Sequence, residues 1–141
     1  MTCQQLRARS REIRLSQQNL NGLDLFPHVQ MPDIFLLVHP VGTVLGRASY
    51  QDFLVVYQGV TVGTSSTEYP VFGRGTALWS GAKVIGGVSS GHNVIYAANA
   101  LVTEGTIPDN SLVVGGFPHR VIPRNHNIRV DFFENDLTLP T

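Results

Sequence analysis

The sequence is short of cysteine and of long apolar runs. Cys3 is the only cysteine among 141 residues, so no disulfide can form within one chain, and a cytoplasmic protein is the default expectation. The longest apolar run has its core at Phe35–Val38, far below the roughly 20 residues that a membrane span needs. The N-terminus lacks the apolar stretch of a secretory signal. We therefore expect a cytoplasmic chain without a membrane span.

Charge is also scarce, and it is balanced. Ten Lys and Arg residues offset ten Asp and Glu residues, and together they make up 14% of the chain, where an average protein has about 25%. The zero net charge gives no support for a nucleic-acid partner, and the only basic cluster is the four arginines of residues 7–14. The shortage of charge predicts extensive buried or subunit-facing surface. The length suits one domain.

What the sequence does contain is a period of six residues. Apolar side chains recur at every sixth position from Val38, and after a break the series resumes at Phe72; Ser90 alone departs from it. The positions are Val38, Val44, Tyr50, Val56, Val62 and then Phe72, Leu78, Val84, Ser90, Tyr96 and Val102. Small or aliphatic residues stand four places later, at Gly42, Ala48, Leu54 and Val60, then Thr76, Ala82, Val88, Val94 and Ala100. Neither an amphipathic helix nor an alternating strand has this period.

A coil with three flat sides of six residues accounts for this period. One side chain per side would point inward, and successive coils would stack as parallel strands about 4.8 Å apart. Hexapeptide repeats are typical of β-helices, and glycine fits corners where a side chain is unwelcome. Candidate corner glycines are Gly46, Gly63, Gly73, Gly81, Gly86 and Gly91. We predict an all-β fold, a single-stranded parallel β-helix; the alternative is a β-sandwich that matches by chance.

Three segments lie outside the repeat. Residues 1–22 are predicted to form a short N-terminal helical segment, with Leu6, Ile13 and Leu20 on one side. The β-helix is predicted to span residues 23–122, with a polar loop insertion at 64–70. Residues 123–141 are predicted to form a C-terminal tail, in which Phe132 and Phe133 are available for docking.

Several segments of the repeat carry a family resemblance. They read HPVGTVLG, YQGVTVG, YPVFGRG, SGAKVIGG and AANALVTEGTIPDNSLVVGGFPHRVI. Over Leu23–Ile122 the chain resembles the catalytic half of serine acetyltransferases, and more broadly the sugar O- and N-acetyltransferases of the hexapeptide-repeat class. The resemblance implies a left-handed coil, acetyl-CoA as acyl donor and no metal. It also implies a homotrimer with active sites between neighbouring chains.

His39 is the candidate general base. Acyl transfer to a hydroxyl needs a base beside it with a pKa near the working pH, and the HPVG segment is similar to the family's active-site histidine motif. The same resemblance makes Asp24, fifteen residues earlier, the carboxylate that orients the imidazole. Asp33 is an alternative partner, and a corner histidine without chemistry is the alternative for His39. Backbone N–H groups near Gly63 are candidate oxyanion donors.

A coenzyme A groove is predicted from small residues. Ser80 and Ala98 are eighteen residues apart, so they should stack one coil apart, and the family has a small pair at this spacing. The resemblance adds Thr103 as a further cofactor contact. It also assigns Arg120 to the 3′-phosphate, which suits the forked donors of arginine. Glu104 stands where many relatives carry lysine, which is a departure.

The acceptor is predicted from the insertion. Serine enzymes carry Arg-His-Pro there to recognise the serine carboxylate, whereas this chain has Glu68, Tyr69 and Pro70. Because Glu68 would repel a carboxylate, we expect a sugar or polysaccharide hydroxyl, contacted by Tyr57, Tyr69 and Trp79. Serine acetyltransferase proper and a non-catalytic β-helix scaffold are the alternatives. A zinc carbonic anhydrase is disfavoured because the five histidines lack that family's ligand spacing.

Overall fold

The structure, a computed structural model, describes residues 22–134, which form thirteen short strands and one π-helical turn. The strands are β1 (Asp24–Leu25), β2 (Phe35–Leu37), β3 (Val44–Leu45), β4 (Leu54–Val56), β5 (Thr61–Gly63), β6 (Thr76–Leu78), β7 (Lys83–Ile85), β8 (Val88–Ser90), β9 (Val94–Tyr96), β10 (Leu101–Val102), β11 (Gly105–Ile107), β12 (Ser111–Val114) and β13 (Arg120–Pro123). The π-helical turn is Val130–Glu134. The predicted N-terminal helix and the last residues of the tail lie outside the described residues.

The strands form three faces of a prism. Face A has the order β1-β3-β5-β7-β10, face B has β2-β4-β6-β9-β12-β13, and face C contains β8 and β11. Isolated bridges that join Ser49, Val71 and Ser89 extend face C towards the first coils. Every pairing between named strands is parallel except that of β12 with β13. The predicted parallel β-helix is therefore confirmed.

The interior of the prism is the predicted apolar column from Tyr50 onward. Its members are buried, and Ser90 stands among them at 7% exposure. The prediction is wrong for the first coil, where Val44 is 39% exposed and Val38 packs outside, against a second cluster. Leu37 and Leu45 take the inward positions instead.

The first coil is out of phase because its corner is two residues longer. The Val38 N–H donates to Val56 in the coil above, and the equivalent Tyr57 N–H donates to Leu78. The Val41 carbonyl accepts the Gly59 N–H, and the equivalent Gln58 carbonyl accepts the Gly81 N–H. Tyr57 and Gln58 are adjacent, whereas His39 and Pro40 separate Val38 from Val41. Before the corner the inward-facing position therefore moves one residue earlier, from Val38 to Leu37. After the corner it moves one residue later, from Val44 to Leu45.

The C-terminal segment covers the outer side of face B. Ile128 is fully buried against Val55 and Ala77, and Phe132 and Phe133 pack beside them. The ring of Phe133 meets that of Phe53 edge-on, with centroids 5.3 Å apart. The Asn93 side chain forms two hydrogen bonds to this segment. Its oxygen accepts the Ile128 N–H at 3.0 Å, and its amide nitrogen donates to the His126 carbonyl. The segment after β13 thus docks on its own β-helix.

Gly73 lies where successive coils approach each other closely enough to exclude a side chain. A Cβ atom at this position would lie 2.2 Å from the Gly91 carbonyl oxygen, 2.5 Å from the Gly91 carbonyl carbon and 2.9 Å from the His92 nitrogen, all of them backbone atoms. Because backbone cannot move aside, Gly73→Ala should lower the free energy of unfolding by about 2 kcal/mol or more. Gly116→Ala is the matched control, since nothing lies within 4 Å of its added Cβ. Chemical denaturation would measure both; equal stability of the two variants would contradict the stacking argument.

The buried tyrosines give the fold a pH dependence. Burial raises the pKa of Tyr96 to about 12, despite an opposing contribution from Ser90, and it also raises the pKa of Tyr50. Neither Ser90 Oγ nor Tyr96 Oη has a hydrogen-bond partner of normal geometry among the described residues. The core holds the neutral phenols. Their contribution to stability is therefore complete below about pH 10, the unfolded pKa, and is lost above it.

Tyr96→Phe should reduce this loss. Wild type is expected to lose stability steeply between about pH 10 and 12, and the variant less so because one ionising group is gone. Urea unfolding at a series of pH values measures both slopes. Identical slopes would show that Tyr96 ionises as easily in the folded chain as in the unfolded one.

Candidate active site

The corner between face B and face A carries the candidate base. This B–A corner comprises residues 38–43, 57–60, 79–82 and 97–100, stacked one above another. His39 lies in its lowest layer, within the two-residue extension. Its backbone adopts a φ of 47°, a left-handed conformation that is uncommon for residues other than glycine but enriched in histidine.

The turn that carries His39 is fixed by bonds to both neighbouring layers. The His39 carbonyl accepts the Val41 N–H at 2.7 Å, and the Gly42 N–H donates to Gly22 at 3.0 Å. Thr43 Oγ1 donates to the Tyr57 carbonyl in the layer above at 2.9 Å. The His39 side chain is exposed, and its ring makes no hydrogen bond within residues 22–134. The backbone of the turn is therefore fixed by hydrogen bonds, whereas the imidazole ring is exposed and forms none within residues 22–134.

The two candidate partners of His39 lie at different corners of the prism. Asp24 opens β1 and pairs with Val44, and its N–H donates at 2.8 Å to Thr43, in the turn that carries His39. Asp33 lies beyond the far end of β2, where its N–H donates to Asp52. The structure thus separates Asp33 from His39 by the width of face B. The role of Asp24 as the partner of the imidazole stays a prediction.

A path up the B–A corner from His39 passes Gln58 and then two small residues, Ser80 and Ala98. Ser80 and Ala98 stack one coil apart, since the Asn99 N–H donates to the Ser80 carbonyl at 2.9 Å. Arg120 pairs with Val114 in the last layer of face B. From β2 to β13 there are five steps, which at about 4.8 Å each span about 24 Å. This path suits an extended chain with an anion at its far end.

The remaining candidates lie at the next corner, between face A and face C. Gly63 ends β5, and its carbonyl accepts the Gly86 N–H at 3.0 Å. Thr103 follows β10, and its carbonyl would lie 3.0 Å from a Cβ at Gly86. Glu104 is exposed beside it, and so stands at the other corner from Arg120. Gly63 and Thr103 are therefore stacked at this A–C corner.

The insertion 64–70 projects from the same A–C corner. Ser65 and Glu68 exchange two backbone hydrogen bonds of 3.1 Å. The Glu68 carboxylate folds over Gly87, where an added Cβ would lie 2.6 Å from Oε2. The guanidinium carbon of Arg47 lies 4.5 Å from the Tyr69 ring centroid. The loop thus holds an aromatic ring beneath a cation that comes from the first coil.

One chain does not bring the two groups of candidates together. A side of about six residues separates the B–A corner from the A–C corner, and at about 3.3 Å per residue this is about 20 Å. His39, Ser80, Ala98 and Arg120 are on one side of face A, and Gly63, Thr103, Glu68 and Tyr69 are on the other.

Comparison with known proteins supports the resemblance. The chain is 33% identical over 117 residues to the serine acetyltransferase of Synechococcus elongatus, across 79% of this chain and 47% of that protein. This chain is a serine acetyltransferase-like hexapeptide-repeat protein. It spans about half the length of the relatives that it matches. No protein-family model matches it.

Solved structures agree with the fold. The serine acetyltransferase of Vibrio cholerae matches with a TM-score of 0.75 at 21% identity, over 90% of this chain and 50% of that one. The enzyme of Brucella abortus in complex with coenzyme A matches with a TM-score of 0.73 at 23% identity, over 83% and 48%. The predicted left-handed β-helix is confirmed by these likenesses.

Three aromatic residues that were predicted to contact an acceptor do not share one surface in this serine acetyltransferase-like chain. Tyr57 and Trp79 lie one above the other at the B–A corner, with ring centroids 5.8 Å apart, and Trp79 is 41% exposed. Tyr69 lies at the A–C corner under Arg47. A sugar-binding platform of all three residues is therefore absent from a single chain.

Sequence reasoning missed Arg47. Its position relative to Tyr69 was readable from spacing. Leu54 pairs with Thr76 across the insertion, 22 residues later, and Arg47 and Tyr69 are also 22 residues apart.

Within residues 22–134 the structure contains no apolar helix of membrane-spanning length. The same residues contain no group of three His, Cys, Asp or Glu side chains that could hold a metal ion.

Proposed function

We propose that this chain is an acetyl-CoA-dependent O-acetyltransferase with His39 as general base. The observation that carries the proposal is the exposed imidazole at the foot of the B–A corner, from which Ser80 and Ala98 lead to Arg120. The serine acetyltransferase relatives support it, and so does a structural neighbour with coenzyme A bound. Acetyl-CoA would lie along this path with its thioester beside His39 and its 3′-phosphate at Arg120.

The chemistry needs one base and no protein nucleophile. His39 takes the proton of the acceptor hydroxyl as the oxygen attacks the thioester carbonyl. The carbon–sulfur bond of the tetrahedral intermediate then breaks, and the proton passes from the imidazolium to the leaving thiolate. Backbone N–H groups near Gly63 are the proposed donors to the oxyanion, and Asp24 is the proposed carboxylate that stabilises the imidazolium.

L-serine is the acceptor that the comparisons favour. The relatives and structural neighbours are serine acetyltransferases, so the predicted preference for a sugar hydroxyl has no support from them. The prediction rested on repulsion by Glu68, but the Glu68 carboxylate folds back over Gly87. A small hydroxyl acceptor is the proposal, with L-serine first.

The separation of the two groups of candidates supports a site that is shared between copies. Residues about 20 Å apart on one chain can meet when the B–A corner of one copy faces the A–C corner of the next. A closed ring of such contacts is a cyclic trimer. We propose a homotrimer that acts in the cytoplasm, where acetyl-CoA is available.

His39→Asn tests the proposed base. Asparagine tolerates the left-handed backbone, and the exposed ring makes no hydrogen bond within residues 22–134, so the melting temperature should be unchanged. Release of free coenzyme A from acetyl-CoA and L-serine should fall about 100-fold or more. His92→Asn is the matched control at the third corner, where an Asn side chain can still accept the Arg74 N–H as His92 Nδ1 does. Undiminished release by His39→Asn would remove the base from its role.

Arg120→Gln tests the position of the 3′-phosphate. Loss of a charge-assisted contact should raise the KM for acetyl-CoA about tenfold or more. The KM for acetyl-dephospho-CoA, which lacks the 3′-phosphate, should not change. Arg124→Gln is the control, since Arg124 is also exposed but follows β13. An equal rise with both donors would contradict a phosphate contact.

A further inference from the structure

We propose that Arg47 binds the carboxylate of an amino acid acceptor and so determines the acceptor class. This inference rests on the proposed O-acetyltransferase function and adds a specificity residue to it. In L-serine the carboxylate is attached to the carbon next to the one that bears the hydroxyl. The general base and the carboxylate-binding cation must therefore lie within the length of one small molecule.

Arg47 is an exposed cation that stacks on an aromatic ring and has free donors. Its guanidinium carbon lies 4.5 Å from the Tyr69 ring centroid, a distance typical of cation–π stacking. Within residues 22–134 the only ion pair joins Arg129 to Glu134, and no described hydrogen bond involves the Arg47 guanidinium. Because stacking on the ring leaves the donor edge open, a planar carboxylate can be bound by two parallel hydrogen bonds.

The other described cations are placed elsewhere. Lys83 Nζ donates to the Gly81 carbonyl at 2.9 Å. Arg74 and Arg129 lie over the Phe53 ring at the corner between face C and face B. Arg120 lies in the last layer of face B, about 24 Å along the axis from His39. Arg124 follows β13. Arg47 is the one cation of the described chain that shares a coil with His39.

The shared coil places Arg47 and His39 at the same height along the helix axis. His39 precedes β3 and Arg47 follows it, so they occupy successive corners of one layer. Rotation about a threefold axis parallel to the helix axis leaves height unchanged. In a trimer of that geometry, Arg47 of one copy lies at the level of His39 on its neighbour.

The insertion adds an argument from charge. Tyr69 positions Arg47, whereas the neighbouring Glu68 carboxylate lies over Gly87. The acidic side chain is also exposed, but it lies against the β-helix of its own chain and forms no ion pair with Arg47. The charge in contact with the Tyr69 ring is the positive charge of Arg47. A carboxylate is attracted there, whereas a neutral sugar hydroxyl would gain nothing from the cation.

Arg47→Gln compared with two acceptors tests the assignment. L-serinamide is the same molecule as L-serine with a neutral amide in place of the carboxylate. The variant should raise the KM for L-serine about 10- to 100-fold with kcat little changed, and Arg47→Lys should fall between. The KM for L-serinamide and that for acetyl-CoA should stay at their wild-type values. Arg74→Gln is the matched control, since it removes an arginine that also stacks on an aromatic ring.

The outcomes separate the two proposals. If the wild type releases coenzyme A with neither acceptor, the proposed function fails and the inference with it. If the wild type acetylates L-serine and Arg47→Gln leaves its KM unchanged, only the inference fails. An equal rise in KM for L-serine and L-serinamide would show a structural effect and would also overturn the carboxylate contact.

Mixed trimers test the placement between copies. His39→Asn and Arg47→Glu should each be nearly inactive at low L-serine. When the two are co-expressed at equal amounts, about a quarter of the interfaces should combine an intact His39 from one copy with an intact Arg47 from the next. Recovery of activity in the mixture is the expected result. A mixture no more active than its components would show that base and cation act within one chain.

Discussion

Each coil of this chain satisfies its backbone hydrogen bonds on the coils above and below it, and this stacking distance constrains everything else. Backbone at the corners must approach to within the strand spacing, which is why Gly73 lies where a Cβ would meet the Gly91 carbonyl at 2.2 Å. Inside, the same spacing leaves room for one layer of side chains per coil. The prism is therefore repetitive, and the candidate base lies where the repeat is broken.

Both breaks of the repeat coincide with the candidate site. The extension at His39 and Pro40 lengthens one corner of the first coil, which removes His39 from the stacked column and exposes its ring. The insertion 64–70 lengthens the next corner, and through Tyr69 it positions Arg47. Functional residues are expected where local rules are violated, and here the violations are two corner extensions that flank face A.

Electrostatics at the insertion explains how a serine acetyltransferase-like chain can carry Glu68 in its loop. The sequence gives the charge of each residue in the loop. The charge that a ligand meets also depends on which residues from other coils lie beside the loop. Glu68 folds onto its own β-helix, and Arg47 arrives from another coil to lie beside Tyr69. The charge in contact with Tyr69 is therefore positive, although the loop sequence itself carries an acidic residue.

The sequence alone determined the six-residue period from Tyr50 onward, the corner glycines and the stacking of Ser80 on Ala98. These follow from geometry that repeats locally, so neighbouring residues suffice to read them. Only the tertiary structure decided that Leu37 and Leu45 rather than Val38 and Val44 face inward, because a corner extension shifts the phase without a change in hydrophobicity. It alone also decided the packing contacts of Ile128 on face B. Such contacts join distant parts of the chain, and their partners depend on how loops close in three dimensions.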